Sequence, residues 1–76
     1  MADRGHPKTA LNNYCQANGK TCTYEDCFRG SQNNGFWYSV AIVDGYKAGV
    51  GEPQRKLLDA QQSAARKALE YYELSA

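Results

Sequence analysis

From Phe36 to Val43 two sets of side chains interleave along the chain, with Phe36, Tyr38, Val40 and Ile42 alternating with Trp37, Ser39, Ala41 and Val43. Period-two alternation of this length predicts a strand buried on at least one face. Asp44-Gly45 follows, a dipeptide that favours the tight type I′ hairpin turn, so Tyr46 to Val50 is expected to return as a short antiparallel strand. Upstream, Thr21 to Arg29 is rich in Thr, Tyr, Cys and Phe and reads as a third strand with Tyr24 as its inward anchor. Asp26 falls between Tyr24 and Phe28 and breaks the pattern, which predicts an edge position or a bulge. The run Gly30-Ser31-Gln32-Asn33-Asn34-Gly35 reads as a polar turn between these strands.

Helical spacing brackets the strands. Ala10, Leu11, Tyr14 and Cys15 form one apolar face between Pro7, suited to a first helical turn, and Asn18-Gly19, a stop signal. Lys8, Thr9, Asn12, Asn13 and Gln16 fall on or near the opposite face. After the glycines of Gly49-Val50-Gly51, a long helix is expected through Tyr72, with Leu57, Ala60, Ala64, Ala68 and Tyr71 or Tyr72 as its buried stripe. Alanine combines the highest helix propensity with little bulk, so such a helix can lie close against a sheet. Adjacent residues point about 100° apart on a helix, so Leu57 and Leu58 cannot both sit on that stripe. One belongs to the core and the other is at least partly exposed. The order helix, three strands, helix implies an α+β fold, α-β-β-β-α, with both helices on one face of a three-stranded antiparallel sheet.

At 76 residues the chain holds one small domain. Residues 7–73 are expected to form it, with residues 1–6 as a disordered leader and 74–76 as a tail. A net charge of +1 moves the burden of any electrostatic argument from charge total to charge placement. No apolar run approaches the roughly 18 residues of a membrane span, and no secretory signal is present. Cys15, Cys22 and Cys27 are then expected as free thiols in a reducing compartment, nucleus or cytoplasm. A Cys22–Cys27 disulfide is conceivable, and the three thiols with His6 would satisfy zinc in number and type of ligand, although their spacing resembles no usual ligand pair.

Chemistry is scarce. There is no His-bearing triad, no phosphate loop and no motif pairing acidic residues on a helix face, and His6, the one histidine, lies in the leader. Asp26, Asp44, Asp59 and Glu70 read as solvated or capping charges, so the chain is not expected to be an enzyme or to carry a cofactor.

The run PKTALNNYCQ, the lone Tyr24, the F-x-Y-x-V-x-I strand, the G-x-G of Gly49 to Gly51 and A-x3-AA-x2-AL over Ala60 to Leu69 together resemble the double-stranded RNA-binding domain. The resemblance runs from Pro7 to Tyr72. The Gly-Glu-Pro continuation after the hairpin is most similar to domains of plant Dicer-like and related RNase III-type proteins, or their partners, in RNA processing and silencing.

The resemblance implies binding along one face of an A-form duplex, across two minor grooves and the phosphates between them. Lys8, Thr9, Asn12 and Asn13 stand where the family places groove-contacting side chains on helix 1, although Asn13 replaces a common Glu. An amide still donates to and accepts from a 2′-hydroxyl. Gln32, Asn33 and Asn34 occupy the second surface, without the family's Pro and His and in a loop about two residues shorter. At the third, the family's KKxAK falls on Leu57-Leu58-Asp59-Ala60-Gln61, which has the alanine and no lysine. Arg55 and Lys56 would substitute if Pro53 began the helix about one turn earlier and carried both cations to its positive end. On this reading the chain binds duplex RNA weakly, with sensitivity to salt, little preference for sequence and poor binding to duplex DNA. The alternative is a protein-interaction or dimerisation module of the same fold, using the exposed leucine of Leu57/Leu58 with Tyr71/Tyr72, or with Trp37 or Val43 on the outer sheet face.

Overall fold

The computed structural model describes residues 6–31 and 33–72. It contains α1 (Pro7–Ala17), β1 (Cys22–Ser31), β2 (Asn34–Val43), β3 (Tyr46–Val50) and α2 (Leu57–Tyr71), with the strands in the order β1-β2-β3 as one antiparallel sheet. Both helices pack on the same face, which is the α+β architecture the pattern predicts.

That face is lined by the smaller of the two interleaved sets. Ser39, Ala41 and Val43 are buried beneath α2 with Ala48 of β3, while Phe36 is exposed and Tyr38, Val40 and Ile42 are half-buried on the open side. Trp37 and Val43 therefore do not belong to the outer face. Trp37 is half-buried with its ring edge-on to Phe28, centroids 5.2 Å apart. Small residues face inward because α2 sits too close for large ones. A Cβ on Gly51 would lie 2.6 Å from the Ala64 nitrogen, and one on Gly49 would collide with the backbone of Ala64 and Ala68. Ala60, Ala64, Ala65 and Ala68 are fully buried against this floor, and Leu69 nearly so.

The predicted stripe falls short at its opening and resolves in favour of Tyr72 at its end. Leu57 is only half-buried at the first helical position, and Tyr71 is exposed, its ring 5.5 Å from that of Tyr46. Of the two tyrosines it is Tyr72 that closes the core, packed on Tyr14 of α1 at 5.1 Å. Helix α1 adds Pro7, Leu11 and Cys15 to the interior. Burial pushes the Cys15 thiol up to about 11, with the neighbouring Cys22 adding to the shift, so Cys15 is an inert core group.

The Asp44-Gly45 turn has both residues at positive φ, 53° and 80°, as a type I′ turn requires. Strand β1 is an edge strand and runs in unbroken register with β2. The irregularity lies elsewhere, between Ala41 and Ile42 where β2 meets β3. All three cysteines are free. Cys22 and Cys27 are an odd number of residues apart on one strand and so project from opposite faces, which excludes a disulfide between them. Among the described residues no group of three His, Cys, Asp or Glu side chains is arranged to hold a metal, and no helix is long and apolar enough to cross a membrane.

Candidate nucleic-acid interface

The candidate interface is built along β1, from residues that other elements bring to it. At one end Lys8, Thr9 and Asn12 of α1 line a shallow groove of about 290 Å³ with Cys22 and Tyr24 of β1. Thr9, Asn12 and Asn13 are exposed, and Asn13 lies outside that groove. At the other end the chain turns back after Ser31. Pairing of Gly30 with Gly35 and Ser31 with Asn34 carries the ladder through most of the stretch expected to be a polar loop. Only the two-residue tip 32–33 is left. Gln32 lies outside the described residues, while Asn33 and Asn34 are exposed beside it. The glycines account for the tight closure, because Gly30 has φ of 113° and a Cβ on Gly35 would strike the Phe28 ring. Seven residue-to-residue steps of strand lead from Tyr24 to Ser31, about 23 Å at roughly 3.3 Å per residue. The two polar patches are thus held apart at a fixed distance.

Between them lies the opening of α2. The Lys8 ammonium donates to the Gln61 side-chain oxygen at 2.7 Å and sits 5.3 Å from the Tyr24 ring centroid. The Gln61 amide donates in turn to one oxygen of Asp26 at 3.0 Å, and the buried Ser39 hydroxyl donates to the other at 2.8 Å. A second tie runs from the Lys8 backbone N–H to the Gln62 side-chain oxygen at 2.9 Å. These bonds join α1, α2, β1 and β2 and fix Lys8 between the helices. They also explain why Asp26 interrupts the apolar alternation of β1. Its side chain does point toward the helices, but into a polar junction rather than into the core.

The extension of the second helix back through Arg55 and Lys56 to Pro53 is not what the chain adopts. Helix α2 begins at Leu57, and Lys56 is its cap residue in an extended conformation, φ −117° and ψ 143°. The preceding segment continues beside the sheet, because Gln54 exchanges backbone hydrogen bonds with Trp37 at 2.6 and 3.0 Å. That pairing holds Pro53 outside any helix. Arg55 is drawn over Phe36, 5.5 Å from the ring centroid and therefore toward the open side of the sheet. Lys56 remains exposed at the helix opening. Asp59, in the first turn, is placed to stabilise the positive end of α2 where the family would place cations.

Pattern reading missed Asp26, Ser39 and Tyr24 as parts of this site. The signal for Asp26 was present as a broken alternation, but its partners Gln61 and Ser39 are distant in sequence and no spacing rule links them. Compared with families of known proteins, the chain matches the model described as "Double-stranded RNA binding motif" over residues 7–72. No curated protein matches the chain.

Proposed function

The chain belongs to the double-stranded RNA-binding family, and from that premise we propose that it is a non-catalytic module reading the shape of A-form duplex RNA with a weakened phosphate clamp. The observation that carries the reading is the Lys8–Gln61–Asp26–Ser39 network, which holds the groove-contacting face of α1 against the opening of α2. Lys8, Thr9 and Asn12 enter one minor groove, with Asn13 at its margin. The tip formed by Gln32, Asn33 and Asn34 enters the next, and Lys56 with Lys8 meets the phosphates between them. Arg55 contributes from a distance at most, held as it is on Phe36. Gln61 orients Lys8 instead of meeting phosphate as a cation. The Gly-Glu-Pro sequence after β3 supports a setting in RNA processing, in the nucleus or cytoplasm, within a Dicer-like or RNase III-type protein or its partner.

Fluorescence anisotropy with matched RNA and DNA duplexes of about 20 base pairs tests this, since the fold spans roughly 16. With about two phosphates neutralised, affinity for RNA is expected to fall about twelvefold between 50 and 200 mM salt, and DNA to bind more weakly throughout. Equal binding of the two duplexes, or none to RNA at the lowest salt, contradicts the proposal. In the latter case the protein-interaction reading stands, favoured by the exposed Phe36 and Val50 around half-buried Tyr38, Val40 and Ile42 on the open sheet face.

A further inference from the structure

Strand β1 is paired on one side only, and the direction of its free peptide groups follows from bonds across the rest of the sheet. Trp37 exchanges backbone bonds with Gln54, and the Gly51 N–H donates to the Ser39 carbonyl at 2.9 Å, so the peptide groups of Trp37 and Ser39 point away from β1. Successive residues of a strand alternate in this respect. The peptide groups of Phe36, Tyr38 and Val40 therefore face β1 and bond with their register partners Arg29, Cys27 and Glu25. On β1 it is Tyr24, Asp26 and Phe28 whose N–H and C=O groups face outward, open to another strand. The bond from the Asp44 N–H to the Thr21 carbonyl, at 3.0 Å, obeys the same parity.

We propose that this edge pairs antiparallel with the same edge of a second copy of the chain, about a two-fold axis through Cys27. In that register Glu25 lies opposite Arg29 of the second copy and Arg29 opposite its Glu25, so one symmetric contact makes two charge pairs on the outer face. Both side chains are exposed, and neither takes part in an ion pair among the described residues. Registers centred on Glu25, Asp26 or Arg29 would oppose like charges instead. Charges on an edge strand ordinarily deter pairing. Here they deter those registers and match in one.

The backbone parity agrees with the charges. Asp26 and Phe28 of the two copies form hydrogen-bonded pairs, which use their outward peptide groups. The two Cys27 residues then form a non-hydrogen-bonded pair, with Cα atoms about 4.5 Å apart, inside the range of about 4.4–6.8 Å that a disulfide spans. On the helix side Tyr24 meets Gly30, which has no side chain to crowd the tyrosine or the Lys8 ammonium above it. Cys27 is an exposed free thiol. With oxidised glutathione as oxidant, one Cys27 thiolate attacks its disulfide and releases one glutathione. The second Cys27 then displaces the other glutathione from the mixed disulfide. Two protein thiols are oxidised and one glutathione disulfide is reduced to two thiols.

Sedimentation equilibrium of the full chain without RNA tests the pairing independently of the proposed function. Under reducing conditions a monomer–dimer equilibrium is expected. Glu25→Arg or Arg29→Glu alone should weaken it about tenfold, and the two together should return it to within about twofold of the parent. Oxidised glutathione should trap a covalent dimer in the parent and in Cys22→Ser, but not in Cys27→Ser. Circular dichroism verifies that each variant is folded, and the trapping arm stands even if a charge variant is not. A monomer at every concentration up to about 1 mM with no trapped dimer overturns the proposal. So does a paired charge variant as weak as the singles, or a dimer trapped through Cys22.

Discussion

Between Ala60 and Ala68 four alanines of α2 have no exposed surface, whereas Leu58, two residues before the first of them, is 56% exposed. The buried half works by absence of bulk: methyl groups against Gly49, Gly51, Ala41 and Ala48 let helix and sheet backbones nearly touch. The opening half works by polar placement, with Gln61 bridging Lys8 and Asp26 while Lys56 and Asp59 face solvent. One helix thus divides its duties. The fold depends on the second half, while the first positions Lys8 and opens beside Lys56, the two cations proposed to meet phosphate, so changes in the two halves should have separable consequences.

The largest effect is expected where the close approach is broken. Ala64→Leu forces extra volume against the Gly51 backbone and should cost about 2–3 kcal/mol in urea unfolding, while Leu58→Ala should stay within about 0.5 kcal/mol. Equal losses at both positions would erase the division. Next in size, Leu58→Lys places a cation where the family has one. It should raise affinity for duplex RNA about fivefold and steepen the salt dependence by about one phosphate, with the unfolding midpoint unchanged. An unchanged salt slope would show that the opening of α2 does not meet the backbone of the duplex. The smallest effect is expected from Asp26→Asn, whose one amide oxygen still accepts from Gln61 while its NH2 donates to the Ser39 hydroxyl, and which removes a negative charge near Lys8. RNA affinity should rise about two- to threefold in anisotropy, and a fall would mean that the carboxylate is needed to orient Gln61.

Much of the buried half was legible in the sequence because its signals are local. The period of the alanines, the Asp44-Gly45 turn and the apolar face of α1 each depend on residues within a few positions of one another. Which face of β2 turns inward was not legible. Both interleaved sets contain apolar residues, and the choice of Ser39, Ala41 and Val43 over Tyr38, Val40 and Ile42 is made by the nearness of α2. Helix α2 starts at Leu57 rather than at Pro53 for a similar reason. Pro53 is compatible with a first helical turn, but the pairing of Gln54 with Trp37 is a tertiary contact that overrides local preference. The hairpin tip is shorter than the polar run Gly30–Gly35 suggests, because Gly30 and Gly35 allow the ladder to close. At the interface, residue types on α1 were readable from helical spacing, whereas the junction at Asp26 joins four elements and exists only in the folded chain.

The most direct test of the central claim, that the α1 face and the opening of α2 act together on duplex RNA, is an NMR titration with a blunt RNA duplex of about 20 base pairs. Amide shifts concentrated at Thr9, Asn12, Asn13, Lys56 and Gln61, with Tyr46 and Tyr71 at the far end unmoved, are the predicted result. No shifts at low salt, or shifts centred on Tyr38, Val40 and Ile42 of the open sheet face, would contradict it.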